Sequence, residues 1–248
     1  MSQKRLLSAW EINHLIKHGL STDTEMLGDT PVEYISGHAE FRNLDILVNE
    51  SVLIPRMETE KIVDLALNFI IKLKTNKPLE IADIGCGSGA LGIALAKELS
   101  NRNLRYHLTL SDISPKALKI TRLNVNRLLP NANDRISIFK SDLLCSFPNT
   151  RIDCLVSNLP YIPSSRIPTL NSSVKNYEPL LALDGGPSGT DLVNKLLRQV
   201  ETFLTTNPVL ILEVDYLHRL KDFSIPPHLS AKILKDDFGN CRYLVIKK

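Results

Sequence analysis

Three short segments of this 248-residue chain place chemistry-bearing residues directly after apolar, strand-like runs. The first reads Ile81-Ala82-Asp83-Ile84-Gly85-Cys86-Gly87-Ser88-Gly89 and leads into a helical pattern that begins at Ala90. Glycine is needed where a backbone turns sharply and must touch a ligand with no Cβ in the way. The helix that follows offers unpaired N–H groups and the positive end of its dipole, which a carboxylate or phosphate satisfies. Gly85, Cys86, Gly87, Ser88 and Gly89 are therefore a candidate binding loop. Gly85 to Ala90 also fits the relaxed dinucleotide fingerprint G-x-G-x-x-G/A. The loop alone thus separates adenosylmethionine poorly from a nicotinamide dinucleotide, or from a glycine turn without a ligand. Asp83 favours adenosylmethionine, because such sites place an acid near the ligand's amino group.

Two further carboxylates follow strand-like runs. Asp112, with Ile113 beside it, lies about twenty residues past the last glycine, where α/β nucleotide sites hold the ribose hydroxyls. A carboxylate can accept two hydrogen bonds from a diol. The competing reading is a helix cap by Ser114 or Asp112 ahead of Pro115, and both can hold if Ser114 is the cap. Asp142 offers an acceptor for an adenine amino group, and the N–H of Leu143 a donor for a ring nitrogen. The alternative is a solvated loop aspartate. Ligands in open α/β sheets bind beyond the carboxyl ends of the strands, where Gly85, Asp112, Asp142 and Asn158 all fall.

The third segment is Asn158-Leu159-Pro160-Tyr161, after the run Ile152–Val156. It resembles the (D/N/S)-P-P-(Y/F) motif of amino-methyltransferases that act on nitrogens conjugated to a π system. An amide nitrogen is a poor nucleophile because its lone pair is delocalised, and it is not deprotonated at neutral pH, so a strong base is not the obvious device. Its two N–H groups can instead be held by the Asn158 side-chain oxygen and a backbone carbonyl of the turn. That aligns the nitrogen with a methyl donor and stabilises the positive charge that develops. Tyr161 offers a flat face to the planar group. Leucine stands at 159 where the motif has proline; its carbonyl is retained, and Pro160 still biases residue 159 to an extended conformation. The plain alternative is a proline-rich loop.

The elements that must position these residues alternate from residue 79 onward. Strand-like runs at Leu79–Ile84, His107–Ser111, Arg135–Phe139, Ile152–Val156 and Val209–Val214 are separated by helical stretches at Ala90–Leu99, Pro115–Leu128 and Thr190–Thr205. Such alternation predicts right-handed crossovers and a mostly parallel sheet. Ala231–Leu234 and Tyr243–Lys247, around an Asp/Gly/Asn turn, predict a closing antiparallel hairpin. Upstream, residues 1–30 read as one or two short helices, 31–55 as a small extended region and Thr59–Lys74 as a helix, with a soft boundary near 74–78. The expected division is residues 1–55 as a small substrate-docking region and 56–248 as the catalytic domain.

Composition is ordinary for a globular chain: 43% apolar and 23% charged residues, with a formal net charge of +3. That mild basic bias does not demand a nucleic-acid partner, and no stable nucleic-acid binding is expected. The four cysteines form no CxxC pair, so no metal site or disulfide framework is indicated and an intracellular setting is the simplest account. No run approaches the roughly 20 apolar residues of a membrane span, and no secretory signal appears. Lys4, Arg5 and Lys17 among near-helical apolar residues permit a weak mitochondrial presequence, against which Glu11 counts; a first domain helix is the competing reading. The matrix is slightly favoured over the cytoplasm.

Taken together, the motifs resemble the HemK/PrmC family, the glutamine-N5 methyltransferases of release factors, over about residues 31 to 215. Val52-Leu53-Ile54-Pro55-Arg56-Met57-Glu58-Thr59-Glu60 is similar to the family's V-L-I-P-R-P-E-T-E, and Pro31 to Phe41 to its P-x-x-Y-I-x-G-x-x-E-F. The stretch from Glu178 to Gly189 is similar to its E-P-x-x-A-L-x-G-G-x-x-G loop. The resemblance implies a seven-stranded Rossmann-like class I methyltransferase sheet with a terminal antiparallel hairpin, behind a small N-terminal helical and extended region. It implies S-adenosyl-L-methionine as cofactor and the Gly-Gly-Gln loop of a class I peptide chain release factor as partner, met by a monomer. Asn158, Pro160 and Tyr161 would be catalytic. Asp83, the Gly85–Gly89 loop, Asp112, Ile113, Asp142, Leu143 and Asn158 would bind the cofactor. Asn158, Leu159, Pro160 and Tyr161 would hold the glutamine, with Arg56 and Glu178 as pocket walls. The N-terminal region is shorter than the family's helical docking domain, and Val214-Asp215-Tyr216 replaces a family glycine. A nucleic-acid adenine methyltransferase shares the Asn158 turn but would need a target-recognition domain or basic groove. A nicotinamide oxidoreductase leaves the turn and the hairpin unexplained. A non-catalytic adenosylmethionine-binding relative is the third alternative, motivated by Leu159 and Met57.

Overall fold

The structure, a computed structural model, describes residues 5–248 apart from Lys74, Asn76 and Asn149. Ser8 caps the first helix, α1 (Ala9–Lys17), by a reciprocal capping box: Ser8 Oγ accepts the Glu11 N–H at 3.2 Å and Glu11 Oε2 accepts the Ser8 N–H at 2.7 Å. Glu11 also pairs with Arg5 at 2.5 Å. The segment that carried the presequence reading is therefore a capped helix from Ala9; Lys4 lies outside the described residues. After α2 (Thr24–Leu27) comes α3 (Val32–Ser36), with Pro31 at its N-cap and Glu33 in its first turn. Here the expected extended stretch of 31–55 begins as a helix, because a fixed proline φ and an early acid favour a helix start. The hairpin of β1 (His38–Phe41) and β2 (Leu44–Leu47) turns on Arg42 and Asn43, both at positive φ, as a two-residue type I′ turn requires.

A 3₁₀ turn at Met57–Thr59 precedes α4 (Glu60–Ile70). The helix expected to run to Lys74 thus ends earlier, and Lys74, like part of the expected boundary at 74–78, lies outside the described residues. The alternating region then runs through β3 (Leu79–Ile84), α5 (Ala90–Asn101), β4 (Tyr106–Asp112), α6 (Pro115–Leu128), β5 (Ile136–Lys140), β6 (Ile152–Ser157), α7 (Ser172–Lys175), α8 (Asp191–Val200), β7 (Leu204–Glu213), β8 (Ser230–Lys235) and β9 (Cys241–Lys247). Among the described residues the sheet has seven strands in the order β5-β4-β3-β6-β7-β9-β8. The first five are mutually parallel, and β9 lies antiparallel between β7 and β8. The mixed α/β class I methyltransferase sheet is as expected.

One boundary differs from the sequence pattern. The helix expected over Thr190–Thr205 stops at Val200, a 3₁₀ turn covers Glu201–Phe203, and β7 starts at Leu204 rather than Val209. Thr205 and Thr206 are β-branched and Pro208 cannot continue a helix. The pairing jumps from Ile152↔Leu204 to Cys154↔Val209, so the irregular stretch of β7 absorbs Asn207-Pro208 outside the ladder.

The period-two alternation of β3 divides the core. Leu79 and Ile81 belong to the layer under α4, α5 and α6, which the hairpin residues Phe41 and Ile46 also join; Ala82 and Ile84 belong to the layer under α8. The chain winds from β3 through β4 to β5 in one direction, returns to β6 beside β3, and continues to β7 in the other. The carboxyl ends of β3 and β6 therefore flank a topological switch point, where open α/β sheets form their ligand crevice. No helix among the described residues is long and apolar enough to cross a membrane.

Candidate active site

The glycine loop leaves β3 at this switch point. Ser111 O accepts the N–H groups of Gly85 at 2.8 Å and Cys86 at 3.0 Å, so the loop is pinned to the end of β4. Gly85, Gly87 and Gly89 have φ of +71°, +56° and +83°, which L side chains rarely adopt. A Cβ built on Gly87 meets nothing within 4 Å and would stand in the open crevice, whereas one on Gly85 would lie 2.8 Å from Leu159 Cδ2. Gly89 caps α5.

A cavity of about 340 Å³ opens over the loop. Of the residues singled out from the sequence, Asp83, Gly85, Cys86, Gly87, Ser88, Asp112, Ile113, Asp142, Leu143, Asn158, Leu159, Pro160 and Arg56 line it; Gly89, Tyr161 and Glu178 do not. Asp112 Oδ2 accepts the Gly87 N–H at 2.9 Å and Oδ1 accepts the Ser114 N–H at 2.8 Å. Each oxygen keeps a lone pair for a diol. Burial raises the Asp112 carboxyl above its ordinary value, against the pull of those amides. Ser114 itself caps α6, accepting the Ala117 N–H at 3.2 Å, so cap and ligand roles fall to different residues.

Asp83 lies beneath the loop, 1% exposed, with Oδ2 accepting the Gly92 N–H at 2.8 Å. Burial pushes its carboxyl up to about 7, reinforced by Asp112. The Cys86 thiol, buried beside Thr121, is also pushed well up by burial, which makes it inert. Asp142 Oδ2 accepts from Lys195 Nζ at 2.5 Å, so it is an ion-paired carboxylate rather than a free loop aspartate. Leu143 has φ +52°, an uncommon state for leucine, which turns its backbone at the cavity wall.

The Asn158 turn closes the other side. Asn158 Nδ2 donates to Thr59 Oγ1 at 3.0 Å, Thr59 Oγ1 donates to Glu213 Oε2 at 2.7 Å, and the Tyr161 hydroxyl donates to Glu213 Oε1 at 2.9 Å. Tyr161 is thus anchored by its hydroxyl behind the cavity wall. Burial raises the Glu213 carboxyl; the Thr59 and Tyr161 hydroxyls and the nearby Arg242 charge oppose this. Arg56 and Glu178 form a close ion pair, and Glu178, 5% exposed, also accepts the Ile54 N–H at 3.2 Å. Glu178 therefore holds the wall from behind. The glycines of the 178–189 loop have a steric cause: a Cβ on Gly185 would lie 2.7 Å from Pro160 O, and one on Gly189 2.4 Å from Tyr161 O.

Thr59, Glu213 and Asn124 were not singled out from the sequence. The signal for Glu213 was a lone acid inside the apolar run Val209–Val214, and for Thr59 its place in the Val52–Glu60 stretch, which gave it no role; Asn124 carries no comparable signal. Among the described residues, the group with metal-ligand spacing is His18, His38 and Asp45, away from the cavity lining. Its two imidazoles stack at 21°, so one ion cannot lie in both ring planes.

A shallow glycine cradle, a paired-oxygen acceptor at Asp112 and a second acceptor at Asp142 suit a nucleoside with an amino-acid tail, which fits adenosylmethionine. Comparison with known proteins agrees. The family model described as methyltransferase small domain matches residues 56–170. The chain is 36% identical over 216 residues to the release factor glutamine methyltransferase of Moorella thermoacetica, covering 86% of this chain and 73% of that protein. It is 36% identical over 187 residues to the protein of the same name from Koribacter versatilis, covering 75% and 63%; measured against that second relative, the chain spans just under two thirds of its length. Among solved structures, the hMettl16 catalytic domain, in complex with a MAT2A 3′UTR hairpin, superposes with TM-score 0.61 at 15% identity, covering 83% of this chain and 75% of that one. A methyltransferase from Pyrococcus furiosus superposes with TM-score 0.53 at 18% identity, covering 83% and 89%. These two likenesses establish the fold. By its sequence relatives, the chain belongs to the release factor glutamine methyltransferase family.

Proposed function

We propose that the protein transfers a methyl group from S-adenosylmethionine to the side-chain amide nitrogen of the glutamine in the Gly-Gly-Gln loop of a class I release factor. The observation that carries this is the meeting of the glycine loop and the Asn158 turn across one crevice at the switch point. The cofactor, when bound, supplies a methyl on a sulfonium. Gly85 to Gly89 offer it their backbone, Asp112 its ribose acceptors, and Asp142 with the Leu143 N–H the base edge. Asn158 Oδ1 and the Leu159 carbonyl accept the two N–H groups of the substrate amide. That holds the nitrogen in line and stabilises the charge that grows on it. Pro160 stiffens the turn, and Tyr161 is fixed beneath it by Glu213. The proton leaves to solvent after transfer, so no strong base is required.

Residues 1–55 serve as the docking region and 56–248 as the methyl-transfer domain. The exposed Trp10 and Ile16 of α1 support a protein partner there. A net charge of only +3 supports a protein loop over a phosphate backbone, met by a monomer. The setting is intracellular, where release factors act. The relatives named above are bacterial, so a mitochondrial placement rests on the basic residues near the start alone.

Labelled adenosylmethionine incubated with a class I release factor, wild type beside a Gln→Ala variant of its Gly-Gly-Gln loop, tests the reading. Label on wild type only is the expected result. Label on neither, with cofactor binding intact by calorimetry, would overturn it.

A further inference from the structure

We propose that Thr59 and Glu213 are positioning residues that fix the polarity of the Asn158 side-chain amide, so that its oxygen and not its nitrogen faces the reacting group. The inference rests on the function proposed above for its consequence, and on hydrogen-bond arithmetic for its geometry. An asparagine amide has nearly the same shape either way round, and only its partners decide which end points where. The substrate amide brings two N–H donors, so an Asn158 turned over would meet donor with donor.

Glu213 is 1% exposed and both its oxygens are engaged by hydroxyls, Thr59 on Oε2 at 2.7 Å and Tyr161 on Oε1 at 2.9 Å. A carboxylate only accepts, so the single Thr59 proton is committed to it. Thr59 Oγ1 can then only accept from Asn158, which must present Nδ2, as it does at 3.0 Å. Oδ1, at the other end of the amide, is left for the cavity that Asn158 lines. The three residues come from distant parts of the chain: the turn before α4, the end of β6 and the end of β7. The polarity is therefore a property of the folded core and not of the Asn158 turn alone. Thr59 lines the cavity edge yet is only 5% exposed, and burial strengthens both bonds relative to water.

Two substitutions break the relay in different ways. Thr59→Val keeps the shape and removes both donor and acceptor, which frees the amide to turn. Glu213→Gln supplies an N–H that can donate to Thr59 Oγ1, releasing the Thr59 proton toward Asn158 Oδ1 and inverting the amide. Thr59→Ser retains the hydroxyl and is the rescue.

The experiment has two readouts. In the free protein, exchange of the Asn158 side-chain NH₂ with solvent is followed by ¹⁵N NMR. Protection is expected in wild type and Thr59→Ser, and its loss, about tenfold or more, in Thr59→Val and Glu213→Gln. With a release factor as substrate, kcat is expected to fall about 100-fold in those two variants, the size of effect seen when one transition-state hydrogen bond is lost. KM for the release factor and calorimetric affinity for adenosylmethionine should stay within about threefold, and Thr59→Ser should stay near wild type in every measure. Equal protection in wild type and Thr59→Val would overturn the proposal whatever the activity. So would a Thr59→Val enzyme with normal kcat. Wild type that protects the amide yet methylates no release factor would support the fixed polarity and overturn the assigned substrate instead.

Discussion

The Gly92 backbone N–H donates to Asp83 Oδ2 at 2.8 Å across a site with almost no solvent, joining the first turn of α5 to the end of β3. One hydrogen bond does not offset the desolvation of a carboxylate, so the folded-state pKa rises from 3.8 to about 7. Between these values the folded chain keeps a proton that the unfolded chain has released. Stability therefore falls as pH rises through that window; the contribution of this group is constant and fully present below about 4, and it is lost above about 7. Asp83→Asn removes the slope. Denaturant unfolding from pH 4.5 to 8 should show wild type weakening relative to Asp83→Asn by an amount on the order of 4 kcal/mol at most. Parallel profiles would show that Asp83 is ionised throughout.

The same carboxylate lines the cavity. A cationic amino group bound nearby favours its ionised form, so binding of adenosylmethionine should release a proton and tighten as pH rises toward about 7. Calorimetry in buffers of different ionisation enthalpy measures that proton directly. Asp83→Asn should release none, and an affinity independent of pH in wild type would place the amino group elsewhere.

Much of this site could be read from the sequence because its parts stand at strand ends. Gly85, Asp112 and Asn158 each follow an apolar run, and a parallel sheet gathers such positions at one edge. Their chemistry is local, carried by a turn and one side chain. Thr59, Glu213 and Asn124 act through partners 36 to 154 residues away, and no local pattern announces that. The start of β7 was unreadable for a different reason: Leu204 to Pro208 mixes β-branched, turn and proline residues, and only its pairing beside β6 decides its conformation. Tyr161 showed its type but not its direction, since whether a ring faces a cavity or a buried acid is settled by packing.

Asn124 is fully buried in α6 and ties three segments together. Its Oδ1 accepts the Leu47 N–H at 2.8 Å, and its Nδ2 donates to Leu47 O and to Ser88 O, each at 2.9 Å. The β1–β2 hairpin is thus bonded to the same side chain as the glycine loop. Asn124→Leu keeps the branching at Cγ, with slightly more bulk, but leaves three backbone groups without partners, at about 1–3 kcal/mol for each group that stays dry. A loss of about 3–5 kcal/mol is expected, which lowers Tm by roughly 10 °C in a chain of this size. Adenosylmethionine should bind more weakly to the variant even at temperatures where it is folded. A change below 1 kcal/mol would mean that water replaces the three bonds.

Asn158→Ala isolates the chemical step. The side chain lines the cavity beside the glycine loop, yet its recorded bond goes to Thr59 and not to the loop. Single-turnover methyl transfer should drop about 100- to 1000-fold, the range for removal of one preorganised group aimed at developing charge. Calorimetric affinity for adenosylmethionine should change less than about threefold. Near-normal turnover would remove Asn158 from the catalytic role, whereas a large loss of cofactor affinity would make it a cofactor ligand instead.

Leu159 raises the question of what leucine does where the related motif has proline. Its side chain is 3% exposed and belongs to the core layer with Ala82, Ile84 and Leu155. Its Cδ2 also occupies the space that a Cβ on Gly85 would need, at 2.8 Å. Leucine therefore contributes packing beneath the glycine loop, in exchange for the rigidity that a second proline would bring. Leu159→Pro removes buried methyl groups and leaves a void, so stability should fall by about 1–3 kcal/mol. The carbonyl that accepts the substrate amide stays, so kcat should remain within about threefold of wild type, or rise if the stiffer turn is better organised. Denaturant unfolding and steady-state methylation of a release factor measure the two effects separately. An inactive but folded Leu159→Pro enzyme would show that the turn needs the conformation leucine gives it, and that the proline-containing motif is not a guide to its geometry here.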